Sequence, residues 1–313
     1  MRRVLLAGCA ALALSAGSAA ANETIRIMTG PQGGSWIPLG GAIENIIKRN
    51  VAGSTVSSAP GAGIINVKAV ETGKTEIGFG NSISTVDGIE GRAPFEGKTV
   101  NVCQLATLYF QYLHLVAPAA AKVNTFADLK GKAIAVQPRG NTAEQATRDL
   151  FQVYGLEYKD LSKVNFVSYT DGVALMQDGH VAGATFGTTV PAAAIMDLAT
   201  ARDITLIDVP EDKLAALRKI NPGYDRRIIK AGTYPKQTKD NATIGYWAHL
   251  IVSCKLPEDT VYKVTKALAE NVGELANVVS AVKGLTVKDM ALDLGVPLHK
   301  GAARFYREAK AIM

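Results

Sequence analysis

Six short turns combine glycine with small polar residues, and each lies between a predicted strand and a predicted helix. Backbone N–H groups at a helix start are free to bind an anion, and the helix dipole favours negative charge there. For one isolated turn, helix capping alone explains these residue types. Six such turns favour a ligand cleft lined by N–H and hydroxyl donors, which suits a carboxylate held without a metal. The turns are PQGGSW, APGAGIIN, GFGNSIS, VQPRGNTAE, YTDGV and FGTTVPAA.

Two of these turns give specific predictions for a bound carboxylate. The N–H groups of Gly34 and Ser35 would meet the anion, with Trp36 either as an apolar wall or as an anchor of the core. Asn141 and Thr142 begin a helix that would meet the far end of the ligand. Arg139 either clamps a second carboxylate through two hydrogen bonds or faces solvent. The predicted ligand-binding residues are Gly34, Ser35, Trp36, Gly63, Asn66, Asn81, Ser82, Gln137, Arg139, Asn141, Thr142, Thr188 and Thr189.

Other motifs in the sequence match known sites incompletely. The segment GAGIIN (61–66) imitates a dinucleotide-binding turn, but asparagine replaces its third glycine and no acidic residue follows at the required distance. The segment GRAPFEGKT (91–99) has five residues between its glycines instead of the four of a P-loop. Nucleophile motifs and metal-ligand spacing are absent from the sequence, so we predict no catalytic residues, no metal and no cofactor.

Strand and helix patterns alternate along the chain in two sets. The predicted helices include 36–49, 62–72 and 142–154, and a long strand region covers 100–117. Extended segments at 116–118 and 248–252 separate the two sets, which indicates that the chain passes twice between two α/β lobes.

The N-terminal residues have the pattern of a cleavable signal peptide. Arg2 and Arg3 precede an apolar stretch, and Ala19 with Ala21 fits the A-x-A rule, so we predict cleavage before Asn22 and a periplasmic location. An alternative is a lipoprotein signal ending at Cys9, although only eight residues precede that cysteine. Cleavage before Asn22 would lower the formal charge from +6 to +4, and basic residues are dispersed, so nucleic acid is not an expected partner.

Two cysteines remain after the predicted cleavage. Cys103 and Cys254 could form a disulfide in an exported protein, or Cys103 could be a buried free thiol in its strand. The sequence does not decide between these alternatives.

Several segments together resemble the TAXI proteins, the binding subunits of one class of TRAP transporters. The resemblance covers nearly the whole mature chain in the same order. It is carried by GGSWIPLGGAIENII, APGAGIINVKAVETGKTEIGFGNS, FADLKGKAIAVQPRGNTAE, ALMQDGHVAGATFGTTVPAAAI and PLHKGAARFYREA.

The resemblance implies an α/β, type II periplasmic-binding-protein fold with two doubly wound lobes joined by a hinge. On this basis residues 1–21 are the signal peptide, 22–117 begin lobe I, 118–248 form lobe II and 249–313 complete lobe I. The implied function is capture of a glutamate-like amino acid or a dicarboxylate such as 2-oxoglutarate, and its delivery to a TRAP-type permease. The protein is expected to be a monomer without enzymatic activity. The alternative is an exported enzyme or sensor domain that uses the same clamp.

Overall fold

The structure, a computed structural model, describes residues 23–313. The predicted signal peptide, its cleavage before Asn22 and the alternative at Cys9 lie outside the described residues. All ten described strands belong to one mixed sheet. They are β1 Glu23–Met28, β2 Ser54–Ala59, β3 Ile77–Asn81, β4 Val102–Pro118, β5 Ala133–Val136, β6 Lys163–Phe166, β7 Gly183–Thr188, β8 Ile204–Leu206, β9 Asp225–Ile229 and β10 Asn241–Ser253.

Helices cover both faces of this sheet. Over the described residues they are α1 Trp36–Asn50, α2 Gly63–Glu71, α3 Ser82–Glu90, α4 Thr142–Val153, α5 Tyr169–Gln177, α6 Ala193–Ala201, α7 Glu211–Ile220, α8 Glu258–Glu270, α9 Val272–Val278, α10 Val287–Met290 and α11 Lys300–Glu308. None of the described helices is long and apolar enough to cross a membrane.

Two long antiparallel strands join two parallel groups of strands. The strand order is β2-β1-β3-β10-β4-β7-β5-β6, with β8 paired to β4 and β9 paired to β10. Strands β1–β3 form one parallel group, and β5–β7 form the other. We call the part built on β1–β3 lobe I and the part built on β5–β7 lobe II. Strand β10 pairs with β3 of lobe I, β4 pairs with β7 of lobe II, and β4 and β10 pair with each other, so together they connect the two lobes.

Each lobe has its own apolar core. In lobe I, α1 buries Leu39, Ile43, Ile46 and Ile47, which is the face that its periodicity predicts. The same core includes residues of α8 and α11, so the end of the chain packs with its beginning. Lobe II has separate apolar clusters on the two faces of its sheet.

Helix α4 begins at Thr142, as its sequence pattern predicts, and ends one residue before the predicted Tyr154. Asn141 is its N-cap, and the Asn141 side chain accepts a hydrogen bond from the N–H of Ala143 at 2.8 Å. Asn141 and Glu144 have the spacing of a capping box, but the second hydrogen bond of such a box, from the Asn141 N–H to the Glu144 side chain, is not formed. The N–H of Asn141 donates to the carbonyl of Pro138 instead, and the Glu144 carboxylate pairs with Arg148 and accepts from Tyr158.

A disulfide joins Cys103 in β4 to Cys254, the residue that follows β10, with 5.2 Å between their Cα atoms. It therefore cross-links the two connecting strands at their lobe I ends. The free-thiol alternative for Cys103 is wrong: Val252 of β10 pairs with Cys103 of β4, so Cys254, two residues beyond Val252, is a diagonal neighbour of Cys103 and is bonded to it.

Candidate ligand-binding site

A small cavity lies between the two lobes beside β4 and β10. Its open space amounts to about 10 Å³ at the scale of a water molecule, which is room for about one water. We call it the central cavity. It is lined by Pro31, Gly34, Ser35, Trp36, Asn81, Gln111, Asn141, Ala143, Tyr169, Gly187, Thr188 and Tyr246.

Three helix N-termini meet at the central cavity. Ser35, Asn81 and Asn141 are the N-cap residues of α1, α3 and α4, and all three line the cavity. Helices α1 and α3 belong to lobe I, whereas α4 belongs to lobe II. Since each helix N-terminus carries a partial positive charge, the cavity favours an anion that contacts both lobes.

Neutral side chains hydrogen-bond to one another around the cavity. The Asn81 amide nitrogen donates to Gln111 Oε1 at 2.7 Å. The Ser35 and Tyr109 hydroxyls are 3.0 Å apart and share a hydrogen bond, so Ser35 does not cap α1 through its side chain. Burial raises the pKa of the Tyr109 phenol, which keeps this hydroxyl neutral.

Two tyrosines of the lining differ in their hydrogen bonding. The Tyr169 hydroxyl donates to the carbonyl of Gly187 at 2.8 Å, whereas the Tyr246 hydroxyl is buried without a hydrogen-bond partner among the described residues. Burial raises the pKa of both phenols, so both are neutral donors at physiological pH. Behind Tyr246, the Tyr224 hydroxyl donates to the Asp149 carboxylate at 2.6 Å and is therefore already engaged.

Trp36 combines the two roles that its sequence position suggested. Its ring packs against Phe79 in the lobe I core, with 5.2 Å between ring centroids, and the residue also lines the cavity. Its indole N–H is buried and has no hydrogen-bond partner among the described residues.

The structure brings six of the predicted residues to the central cavity. Thr189 lies next to it, in a groove of about 400 Å³ between the start of α1 and the Thr188–Ala193 segment. The Gly34 N–H is not free for a ligand here, because it donates to the carbonyl of Pro31 at 3.2 Å. The six are Gly34, Ser35, Trp36, Asn81, Asn141 and Thr188.

Three other predicted residues are engaged in contacts within the protein. The Asn66 amide nitrogen donates to the carbonyls of Thr29 and Phe79, and its oxygen accepts from Ala62 N–H, so it fixes the backbone around α2. Ser82 accepts from the Trp247 N–H at 3.2 Å. The Gln137 amide donates to the carbonyl of Thr185.

Two further predicted residues, Gly63 and Thr142, meet across the lobes. The Thr142 hydroxyl lies 2.8 Å from the Ser84 hydroxyl, and a Cβ at Gly63 would collide with the Thr142 side chain. Glycine at 63 therefore permits the close approach of lobe II to lobe I.

Arg139 does not reach the central cavity. Its side chain is exposed, and its guanidinium carbon lies 4.2 Å from the centroid of the Phe166 ring, a cation–π contact on lobe II. None of the lining residues of the cavity carries a charged side chain, and the described residues contain no cluster of potential metal ligands.

The sequence reasoning did not identify Gln111, Tyr169 and Tyr246. Gln111 and Tyr246 face each other across the β4–β10 pair, and each is a polar group within an apolar strand. That interruption of the apolar pattern is the only signal that could have marked them, because both strands otherwise indicate a buried core.

Comparison with solved structures supports the fold assignment. PhnD1 from Prochlorococcus marinus MIT 9301, solved with methylphosphonate, is 11% identical, and the match covers 93% of this chain and 100% of PhnD1 with a TM-score of 0.59. The periplasmic binding protein BugD is 10% identical over 92% of this chain and 94% of its own, with a TM-score of 0.58. A protein of the GshT and TcyBC glutathione import system of Streptococcus mutans is 14% identical over 90% and 99%, with a TM-score of 0.52.

The chain therefore has the two-lobe α/β fold of periplasmic binding proteins, which confirms the fold class that the sequence predicted. Residues 27–309 match the NMT1-like family. The chain belongs to this family.

Proposed function

We propose that the protein is an extracytoplasmic solute-binding protein that captures a small organic acid in the central cavity and delivers it to a membrane permease. The observation that carries this proposal is the meeting of three helix N-termini, two from lobe I and one from lobe II, at one enclosed site. A carboxylate between them interacts favourably with both lobes at once, so its binding favours the closed arrangement.

Entry of the acid requires the lobes to separate, because the cavity has room for about one water in this conformation. We propose that β4 and β10 act as the hinge between lobe I (22–117 and 249–313) and lobe II (118–248). Gly34, Ser35, Asn81, Asn141 and Thr188 would then contact the ligand, and Trp36 would form an apolar wall.

The TAXI resemblance supports a TRAP-type permease as the partner, and a glutamate-like amino acid or a dicarboxylate such as 2-oxoglutarate as the ligand. Relatives by fold include PhnD1, solved with methylphosphonate, and a protein of a glutathione import system. Both agree with a role in the uptake of small solutes. The mature protein would begin near Asn22 and act in the periplasm as a monomer.

A thermal-shift screen of the refolded, ligand-stripped protein tests this function. The panel contains organic acids, amino acids, phosphonates and sulfonates. A ligand at a hundred times its Kd stabilises the folded state by about 2.7 kcal/mol, so a true ligand gives a clear shift in Tm. Calorimetric titration should then give a Kd in the micromolar range or below, about −8 kcal/mol or better.

Stabilisation by a phosphonate or sulfonate, with none by any carboxylate, would contradict the organic-acid ligand. Consumption of the acid during the titration would favour the exported enzyme instead.

A further inference from the structure

Three acceptor atoms around the central cavity are engaged by donors of the protein itself. Gln111 Oε1 accepts from the Asn81 amide, and Asn141 Oδ1 accepts from the Ala143 N–H. The carbonyl of Gly187 accepts from the Tyr169 hydroxyl. Since the oxygen of each of these two amides is used, the –NH₂ groups of Gln111 and Asn141 are donors that remain for a ligand, as is the indole N–H of Trp36, which has no hydrogen-bond partner among the described residues.

Tyr246 adds an unpartnered donor to this set. Its side chain is 1% exposed, lines the cavity and has no hydrogen-bond partner among the described residues. A buried hydroxyl without a partner costs free energy, so a ligand oxygen that accepts its hydrogen bond gains affinity.

An ammonium group would find no charged partner in this cavity, because no aspartate or glutamate of residues 23–313 lines it. Burial of an unpaired cation carries a large desolvation cost. The three helix N-termini add positive partial charge, which raises that cost further. The same features stabilise a carboxylate and accept a neutral oxo or hydroxy group.

We infer that the central cavity selects a carboxylic acid without an ammonium group, such as a 2-oxo or 2-hydroxy acid, and that the Tyr246 hydroxyl donates a hydrogen bond to it. This inference rests on the proposed function. Of the two ligand classes that the resemblance implies, it favours a dicarboxylate such as 2-oxoglutarate over a glutamate-like amino acid.

Matched acids test the selectivity. Calorimetric titrations of the ligand-stripped protein compare 2-oxoglutarate with L-glutamate, and pyruvate with L-alanine. Within the pair that binds, the oxo acid should bind at least tenfold more tightly than the amino acid. An amino acid that binds as tightly as its oxo acid, or more tightly, overturns the inference and leaves the solute-binding function standing. Failure of every carboxylate in the panel to bind overturns both.

Gln111→Glu tests the reason for the selectivity, because it replaces an amide with a carboxylate of nearly the same shape. The variant should weaken the oxo acid and shift the ratio of the two affinities toward the amino acid by tenfold or more. If the ratio of the affinities for the oxo acid and the amino acid is unchanged in Gln111→Glu, the lack of an acidic side chain in the cavity is not the cause of the selectivity.

Tyr246→Phe tests the hydroxyl with little change in ring packing. It should weaken the oxo acid by about ten- to a hundredfold, in line with the loss of one hydrogen bond to a charged group. Tyr112→Phe is the matched control, because Tyr112 follows Gln111 on β4 and therefore points to the opposite face of the sheet. Equal affinities for wild type and Tyr246→Phe would overturn the assignment of the hydroxyl.

Discussion

Two residues that are close in sequence, Arg139 and Asn141, have different environments in the structure. Asn141 is 5% exposed and lines the central cavity, whereas Arg139 is exposed and lies on the Phe166 ring. Between them Gly140 has a φ of +82°, which turns the backbone in a way that other residues rarely adopt. Sequence spacing alone places both side chains before α4 and cannot reveal that this turn separates them.

For Arg139→Ala we expect less than a threefold change in affinity for either a monocarboxylate or a dicarboxylate. The guanidinium contacts Phe166 rather than the cavity, so its loss should instead lower the free energy of unfolding by about 0.5–1 kcal/mol. Calorimetric titration and urea denaturation measure the two effects. A tenfold or larger loss confined to the dicarboxylate would restore the clamp that the sequence suggested.

Asn141→Ala should affect both ligand binding and stability. Loss of the N-cap of α4 should lower the free energy of unfolding by about 1 kcal/mol, and loss of the amide should weaken the bound acid by about tenfold. Thr286→Ala is the control, since Thr286 caps α10 through the same type of hydrogen bond but does not line the cavity. An unchanged ligand affinity in Asn141→Ala would remove this residue from the site.

At the scale of elements, the helices were easier to predict than the strands that complete the site. The apolar periodicity of α1 and the cap of α4 are local, so the sequence predicts their starts and buried faces. The partners of Gln111 and Tyr246 depend on the register between β4 and β10, which are more than a hundred residues apart in sequence. Nothing local specifies that register, so sequence reasoning could not place these two side chains in the cavity.

Helix α4 also carries a buried acid with a consequence for pH dependence. Burial raises the pKa of Asp149 above its usual value of 3.8, although hydrogen bonds from Tyr224 and Gln145 oppose the shift. Above pH 3.8 the unfolded chain releases this proton before the folded state does. The contribution of Asp149 to the free energy of unfolding therefore falls as pH rises, until the raised pKa is passed.

Urea denaturation of the wild type and Asp149→Asn over a series of pH values tests this. The free energy of unfolding of the wild type, relative to that of the variant, should decrease as pH rises above 3.8 and then become constant. A difference that does not change with pH, or that increases, would contradict the raised pKa.

At the scale of the whole molecule, direct contacts between the lobes stabilise the closed arrangement. The carbonyl of Gly140 in lobe II accepts hydrogen bonds from the N–H groups of Ile64 and Ile65 at the start of α2 in lobe I, at 3.1 and 3.2 Å. On the α3 side, the Asn221 amide donates to the Asp87 carboxylate at 3.1 Å. The contacts of a ligand therefore add to contacts between the lobes that already favour closure. Weakening the contacts between the lobes should reduce the fraction of closed protein, and the apparent affinity should fall in proportion to that fraction.

Gly140→Ala should shift the lobes toward an open arrangement. A Cβ at this position would lie 2.6 Å from Ile65 Cγ1, so the Ile65 side chain or the turn must shift, which disturbs the two hydrogen bonds of the turn to α2. We expect a larger radius of gyration without ligand by small-angle X-ray scattering, and a Kd raised by about three- to tenfold for every acid that binds. The ratio of affinities between oxo acid and amino acid should stay the same, because the lining of the cavity is unchanged. Gly155→Ala is the matched control, since Gly155 also has a positive φ, +70°, but a Cβ there meets no atom of the described part of the chain within 4 Å. Both variants place alanine at a positive φ and so incur a similar backbone strain. If the two variants have the same radius of gyration and the same ligand affinity, the effect of Gly140→Ala comes from strain in its own turn and not from the contact between the lobes.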